Sequence, residues 1–325
     1  MNLFVEGKSS YTDYRIPAMT ISDKGIIYVA FECREDKSDW AQIDMRIMKS
    51  TDNGVSFQEI KKICGQGETL NNPVLIVKED VVHFIYCKNY SHVYHIVSRD
   101  EGDTWEEAKE LTNIFENFTY TVVATGPGHG IVTKDGTLVL PVWFAYNTED
   151  IHEHKPSFVS TIYSEDDGET WQSGEILEGP ELVDANESTM ALLQDGSVLV
   201  SIRNRHPEKR MRYLAVSPNG YDQWKFWGYD ERFIDPKCMG SLCNGDDMIF
   251  FCNCESTEKR ENLTLKVSKD DFEHVEKILI SKQAGYSEIA YYDNQLFVLY
   301  ETYEECDGER INHRLHFDNI NLANL

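Results

Sequence analysis

Positive charge is in short supply along this chain. Lysine and arginine total 31 against 56 aspartates and glutamates, a formal net charge of −25. A surface of that sign repels nucleic acid and anionic membranes, so neither is expected as a partner. Long apolar runs are missing too. No stretch approaches the roughly 18–20 residues that a membrane-spanning helix needs. Residues 1–30 show no basic start followed by an apolar run, so no secretory leader is read there and a cytoplasmic location is expected, or a secreted one if a leader has been removed. No P-loop, dinucleotide fingerprint or H-E-x-x-H string occurs, and no cofactor is expected.

The eight cysteines are Cys33, Cys64, Cys87, Cys238, Cys243, Cys252, Cys254 and Cys306. With no leader in front of them they read as reduced, mostly buried thiols rather than a disulfide framework. Cys252 and Cys254 form a C-x-C pair that lacks a second ligand pair, and His83 and His129 stand alone. The polar segment Tyr146–Pro156 reads as a long surface loop and adds His152 and His154. No metal site is expected from these. The sequons at Asn89, Asn117, Asn186 and Asn262 carry no meaning in a reducing compartment.

What is present is an ordinary globular balance, 41% hydrophobic and 27% charged, which excludes disorder as the default. The 17 tyrosines and 15 phenylalanines favour strands. No Pro/Gly/Ser linker divides residues 1–325, so a single domain is expected despite the length.

An octapeptide recurs. It reads STDNGVSF from Ser50, SRDEGDTW from Ser98 and SEDDGETW from Ser164, with decayed copies SPNGYDQW from Ser217 and SKDDFEHV from Ser268. The intervals are 48, 66, 53 and 51 residues, a period near that of one four-stranded sheet. Each copy follows a strand-like run and supplies turn chemistry: aspartate, a glycine for positive φ, a hydroxyl, and an aromatic that packs back. Lys24-Gly25, Asp135-Gly136 and Asp195-Gly196 supply further hairpin turns between the copies. Sheets at this period with no helical pattern between them predict an all-β, six-bladed β-propeller of four-stranded antiparallel sheets. The N-terminal strand, about residues 3–7, is expected to complete the blade formed by residues 286–325 and so remove a free edge.

The octapeptide resembles the Asp box of sialidases and related propellers, a motif that implies the fold rather than the function and sits away from the active site. Other strings strengthen the resemblance to the sialidase family. They are YRIPA at Tyr14–Ala18, FECREDKSDW with Arg34 and Asp39, NEST with Glu187, SIRNR with Arg203, the run before the fifth copy with Arg260, AGYSEIAYY with Tyr286, and FVLYE with Glu301. Their order resembles that of the family from Arg15 to Glu301. Gly126–Trp143 also looks like a family segment.

The resemblance implies an exo-α-sialidase that removes terminal sialic acid from an oligosaccharide, glycoprotein or glycolipid with retention of configuration. It implies that Arg15, Arg203 and Arg260 bind the sugar carboxylate, and guanidiniums suit that task because they form planar, charge-assisted pairs. Such a cluster also answers the charge problem, since the mouth can be positive while the body is negative. Glu301 is implied to orient Arg15. Sialidases use a tyrosine nucleophile where most retaining glycosidases use a carboxylate. An anionic nucleophile would be repelled by a carboxylate on the anomeric carbon; a neutral phenol is not. Its ordinary pKa near 10 demands a base, and Glu187 is the candidate. Asp39 is the candidate acid, and Arg34 a contact for the sugar's substituents. Arg205 competes with Arg203, and Asp36 and Asp44 with Asp39. Asn71, Asn72 and Trp143 are candidates for the pocket that would receive an N-acetyl group. Two alternatives stay open: an enzyme with the same constellation acting on Kdn or Kdo, or transferring or forming an anhydro product, and a non-catalytic sialoside-binding propeller.

Overall fold

A computed structural model describes residue 3 and residues 11–146, 154–306 and 309–322. Six sheets form, and among the described residues no α-helix is present; the one helical turn is a 3-10 segment at Thr112–Phe115. Among the described residues no helix is long and apolar enough to cross a membrane. Blade 1 runs Asp13–Ile21, Ile27–Arg34, Ile43–Ser50 and Gln58–Ile63 in simple up-and-down order. Blade 4 (Ser188–Leu192, Val198–Ile202, Met211–Ser217, Lys225–Ile234) and blade 5 (Ser241–Asn244, Ile249–Cys254, Glu261–Ser268, Glu276–Gln283) repeat that order. Blade 2 adds the short strand Gly128–His129 in parallel to Leu70–Lys78. Blade 3 has Val122–Thr125 pairing alongside Ile131–Val132 on Leu138–Ala145. Blade 6 comprises Ser287–Tyr292, Gln295–Cys306 and Glu309–Asn321 among the described residues. The expected closing strand at 3–7 falls largely outside them; Leu3 donates its amide to the Leu315 carbonyl of the outer described strand of blade 6.

The repeated octapeptides are the turns between the third and fourth strands. In the second, Ser98 Oγ donates to Asp100 (2.8 Å) and accepts the Gly102 amide (2.8 Å), while Thr104 Oγ1 donates to Asp100 (2.6 Å). The third copy repeats these bonds with Ser164, Asp166, Gly168 and Thr170. The fifth copy keeps this geometry, whereas the fourth is one residue tighter: the amide donating to its serine hydroxyl is Gly220, three residues on rather than four. In the fourth copy Asn219 replaces aspartate and bonds Ser217 at 2.9 Å. In the fifth, Phe272 occupies the glycine position at φ 68°, and its amide still donates to Ser268 Oγ. Gly168, at φ 83°, shows why glycine is favoured: a Cβ there would lie 2.7 Å from the His83 ring of the neighbouring blade.

A meander puts its first and third turns at one end of the blade. Its second loop and the link to the next blade go to the other end. The Asp-box turns therefore crowd one end of the ring and leave the other to irregular loops. The hydrophobic core fills the spaces between blades, as in the cluster joining Ile85, Val142 and Val200 of blades 2, 3 and 4.

Candidate active site

At the loop end two inner strands are broken by the same device. Pro17 and Pro73 cannot donate to a ladder, so each strand bulges there, between Arg15 and Ala18 and between Asn71 and Val74. The residue before each proline takes a left-handed conformation, Ile16 at φ 54° and Asn72 at φ 55°. Each freed amide is taken by a buried glutamate: Ile16 donates to Glu301 (3.0 Å) and Asn72 to Glu32 (2.9 Å). For a β-branched residue such as Ile16 this backbone is strained, and the strain sits beside the polar cluster described next.

Glu301, 1% exposed, gathers three partners. It accepts from Arg15 Nε (3.2 Å), from Arg15 Nη2 (3.4 Å), and from the amides of Ile16 and Tyr286 (3.0 and 3.2 Å). Burial works to raise its carboxyl pKa, yet Arg15 and the Ile16 amide hold it below the usual range. Tyr286, immediately before the first strand of blade 6, donates its hydroxyl in a short bond to Glu187 and accepts from Arg203 Nη1 at 2.8 Å. Arg203 also pairs directly with Glu187. Three guanidiniums surround the phenol ring, with Cζ atoms 5.1 Å (Arg260), 5.8 Å (Arg15) and 6.0 Å (Arg203) from its centre. Burial pushes the phenol pKa well up; Arg203 and Arg260 pull against it and Glu187 adds to it. The ring is thus a neutral phenol hydrogen-bonded to the Glu187 carboxyl group.

On the far wall Arg34, 1% exposed, is clamped between Glu32 (Nε to Oε2, 2.8 Å) and Asp39 (Nη1 to Oδ1, 2.6 Å). Asp39 is half exposed. Burial of its carboxyl raises its pKa, but Arg34 and then Arg15 outweigh that and keep it below the usual carboxylate range. Its sequence competitors lie elsewhere: Asp44 bonds Tyr11 and the Gly65 amide, and Asp36 accepts the Ser38 amide.

A cavity of about 150 Å³ joins the two walls. Its lining includes Arg15, Arg34, Asp39, Glu187, Arg203, Arg260 and Tyr286, with Glu301 directly behind Arg15. Arg205 lines it as well as Arg203. Of the acyl-pocket candidates Asn72 and Trp143 line it, whereas Asn71 is turned away and donates to the Asp39 carbonyl. A larger cavity, about 530 Å³, lies where Asn244–Ile249 meet Ser268–Asp271 at the Asp-box end, and Lys269 is the one arginine or lysine in its lining.

The surface-loop expectation fails at His154. It is 8% exposed and lines the pocket, its ring centre 4.7 Å from Tyr90, 5.4 Å from Trp143 and 5.9 Å from Trp40. An aromatic corner draws the loop end inward, which polarity of the surrounding sequence does not reveal. His152 lies outside the described residues. Tyr90, Asn186 and Glu32 were also not singled out. Glu32 had a signal, since two positions before Arg34 in a strand is the same face. Asn186 Oδ1 is buried in the lining without a protein partner among the described residues. Beneath the site, burial raises the Cys238 thiol pKa, but a bond to Cys254 and the Arg260 and Arg203 charges bring it below its ordinary value.

Residues 61–298 match the BNR repeat-like domain family. A sialidase of Bacteroides fragilis (strain YCH46) is 22% identical over 91% of this chain and 61% of its own length. An exo-alpha-sialidase of Arthroderma benhamiae is 25% identical over 80% of this chain and 68% of its own. Among solved structures, the Hadza microbial sialidase Hz136 aligns at TM-score 0.80 with 20% identity, over 96% of this chain and 66% of that one. The Trypanosoma rangeli sialidase, solved with 2,3-difluorosialic acid as a covalent intermediate, aligns at TM-score 0.75 with 18% identity, over 94% of this chain and 54% of that one. The chain thus spans about half to two thirds of the length of most of these proteins.

Proposed function

The chain belongs to the BNR repeat-like domain family and is homologous to the sialidases, and from that premise we propose that it is a retaining exo-α-sialidase. The observation that carries the reading is one phenol, Tyr286, bonded to Glu187 and ringed by Arg15, Arg203 and Arg260.

The substrate carboxylate sits among the three guanidiniums, which fixes the anomeric carbon above the Tyr286 oxygen. Tyr286 Oη attacks that carbon as its proton passes to Glu187, so no free phenolate forms. The glycosidic C–O bond breaks and the leaving oxygen takes a proton from Asp39. Water then attacks the same carbon, giving its proton to Asp39, and Glu187 returns the proton to the departing phenol. Two displacements retain configuration. Asp39 must enter this cycle protonated, although the Arg34 charge works against its protonated form. An incoming carboxylate offsets the arginine field, and the leaving group shields Asp39 from water; both changes raise its pKa. Glu301 acts through Arg15 and is a positioning residue.

The seven cysteines with described side chains are all free thiols, six of them buried, which supports a reducing compartment; activity confined to the culture medium of the native cells would remove that reading.

The test is hydrolysis of a fluorogenic α-sialoside by the wild type and Tyr286→Phe. Turnover by the first and a loss of about a thousandfold or more in kcat for the second are expected, at an unchanged melting temperature. Full activity in the variant removes Tyr286 from the chemistry. The Kdn and Kdo glycosides run alongside decide whether another keto-acid sugar is the better substrate.

A further inference from the structure

Cations are few in this chain, and they are not spread evenly. The ten residues Arg203–Arg212 hold five lysines and arginines against one glutamate, in a sequence that is acidic overall by 25 charges. Two of the five are accounted for: Arg203 belongs to the site, and Arg212 is fully buried, holding Ser201 and the carbonyls of Cys238 and Glu187. Arg205, Lys209 and Arg210 remain. They follow the second strand of blade 4, so the meander places them at the loop end, beside the pocket. Lys237, in the link from blade 4 to blade 5, joins them, its Nζ 3.4 Å from the Arg205 carbonyl.

The strip is radial. Arg205 lines the pocket itself. Lys237 lies against Arg205, and the Arg210 carbonyl accepts the Asp235 amide (3.0 Å) two residues before Lys237. Lys209 sits 5.7 Å over the ring of Tyr229 on the outermost strand of blade 4. All four are partly exposed. Opposite charge is also at hand: Glu187 and Asp184 act on Arg205. Burial, then the charges of Arg210, Arg205 and Arg203, hold the Lys237 ammonium pKa below its ordinary value, and Asp184 opposes them without restoring it. Glu208 in the same loop is exposed. Like charges gathered at the mouth of a strongly acidic protein cost stability unless they meet an anion, and within a Debye length of about 8–10 Å they decide the local field.

The inference rests on the proposed sialidase reading and deepens it. The pocket can enclose only the terminal sugar, so the unit attached to it emerges over the rim. We propose that Arg205, Lys237, Arg210 and Lys209 form a leaving-group subsite for an anion, so that the preferred substrate carries a second negative charge, a carboxylate or a sulfate, on the unit next to the terminal sugar. A second keto-acid sugar supplies the carboxylate; a sulfated galactoside supplies the sulfate.

The experiment compares kcat/KM for four substrates at low and high salt: an α-linked disialoside, the same disialoside with the inner carboxylate as its methyl ester, neutral sialyllactose, and sialyllactose sulfated on galactose. The wild type and the double variant Arg210→Ala/Lys237→Ala are measured, with melting curves matched. At low salt the wild type is expected to favour the acid over its ester, or the sulfated over the plain lactoside, by about fivefold, the scale of two partly exposed ion pairs. That preference shrinks toward one in the double variant and at high salt, while the double variant turns over plain sialyllactose as the wild type does. Preference for one anion alone identifies the source. Equal ratios in wild type and variant, or a wild-type ratio of one, overturn the subsite and leave the sialidase reading standing. No turnover of plain sialyllactose by the wild type sinks the sialidase reading and the subsite with it.

Discussion

The two ends of the propeller are built by opposite rules. At the Asp-box end, five blades repeat one hydrogen-bonded turn. The copies differ in sequence: asparagine takes the aspartate's place in a turn one residue tighter, and phenylalanine takes the glycine's place with the bonding kept. At the loop end only the proline bulge recurs, at Pro17 and Pro73. Arg15, Asp39, Asn72, Tyr90, His154, Glu187, Arg260 and Tyr286 come from different blades or different loops, and each does something its counterparts do not. Repetition secures the ring; the irregular end exploits the fixed positions that the ring provides. Buried charge is concentrated accordingly. Glu32, Arg34, Glu187, Arg203 and Glu301 cluster at the loop end, whereas the box aspartates sit at the surface with hydrogen bonds to hydroxyls and amides.

The widest gap between the ends should appear on removing Glu301. Glu301→Ala leaves Arg15 without its partner and strands the amides of Ile16 and Tyr286, both of which donate to that carboxylate. Losing one member of a buried, hydrogen-bonded pair costs about 3–5 kcal/mol. Denaturant unfolding should show a loss of that size, and Glu301→Gln, which keeps acceptor and shape, a smaller one. In Glu301→Gln, KM should rise more than kcat falls, because Arg15 binds the carboxylate but does not move a proton. A variant that unfolds like the wild type and keeps its KM would mean the Arg15 pair is ornamental.

The same contrast governs what could be read from the chain alone. The boxes are local, eight residues that make their own bonds, so the spacing of Ser50, Ser98, Ser164, Ser217 and Ser268 was enough to give the blades. The strands preceding them end on those serines. Arg15, Glu187 and Tyr286 were visible because each sits in a distinctive string, and the fold then brings them within one pocket. What stayed hidden depends on chain paths between strands. His154 read as exposed because its neighbours are polar; three aromatic rings from other segments bury it. Asn71 and Asn72 could not be told apart, because simple alternation fails at the Pro73 bulge. The basic strip was present in SIRNRHPEKRMR, but only the meander shows that Lys237 meets it.

An intermediate effect is expected from acid. His83 and His95 lie buried in adjacent strands of blade 2, ring nitrogens 3.1 Å apart, with His83 against Gly168 of the third box. Burial lowers their pKa values from 6.5, His83 to about 4 and His95 to about 3. A histidine held neutral in the fold and free to charge when unfolded makes the unfolded state bind more protons. Stability is therefore full above pH 6.5 and declines as pH falls from there through the folded values. By pH 5 the loss should be on the order of 2–4 kcal/mol. The box aspartates, with pKa values held down by their hydroxyl and amide donors, contribute above their unfolded value near 3.8 and fail only in stronger acid. Chemical denaturation at pH 7 and pH 5 checks this. His83→Leu/His95→Leu should flatten the profile between those values; an unchanged slope would move the acid sensitivity elsewhere.

The smallest effect should come from breaking one box. Ser164 is buried, accepts the Gly168 amide at 2.8 Å and donates to Asp166 at 2.9 Å. Ser164→Ala removes both bonds and leaves a buried amide unsatisfied, at a cost of about 1–2 kcal/mol. The turn is not expected to open, because Thr170 still bonds Asp166 through its amide and hydroxyl and Trp171 stays packed beside His95. Activity at 25 °C should be untouched, since the pocket lies at the other end of blade 3 and its walls draw on five further blades. If kcat/KM for a neutral sialoside falls along with stability, the ends are mechanically coupled and the division between a repeating scaffold and an irregular site is wrong. If stability falls alone, the boxes act on the site only by keeping the ring closed.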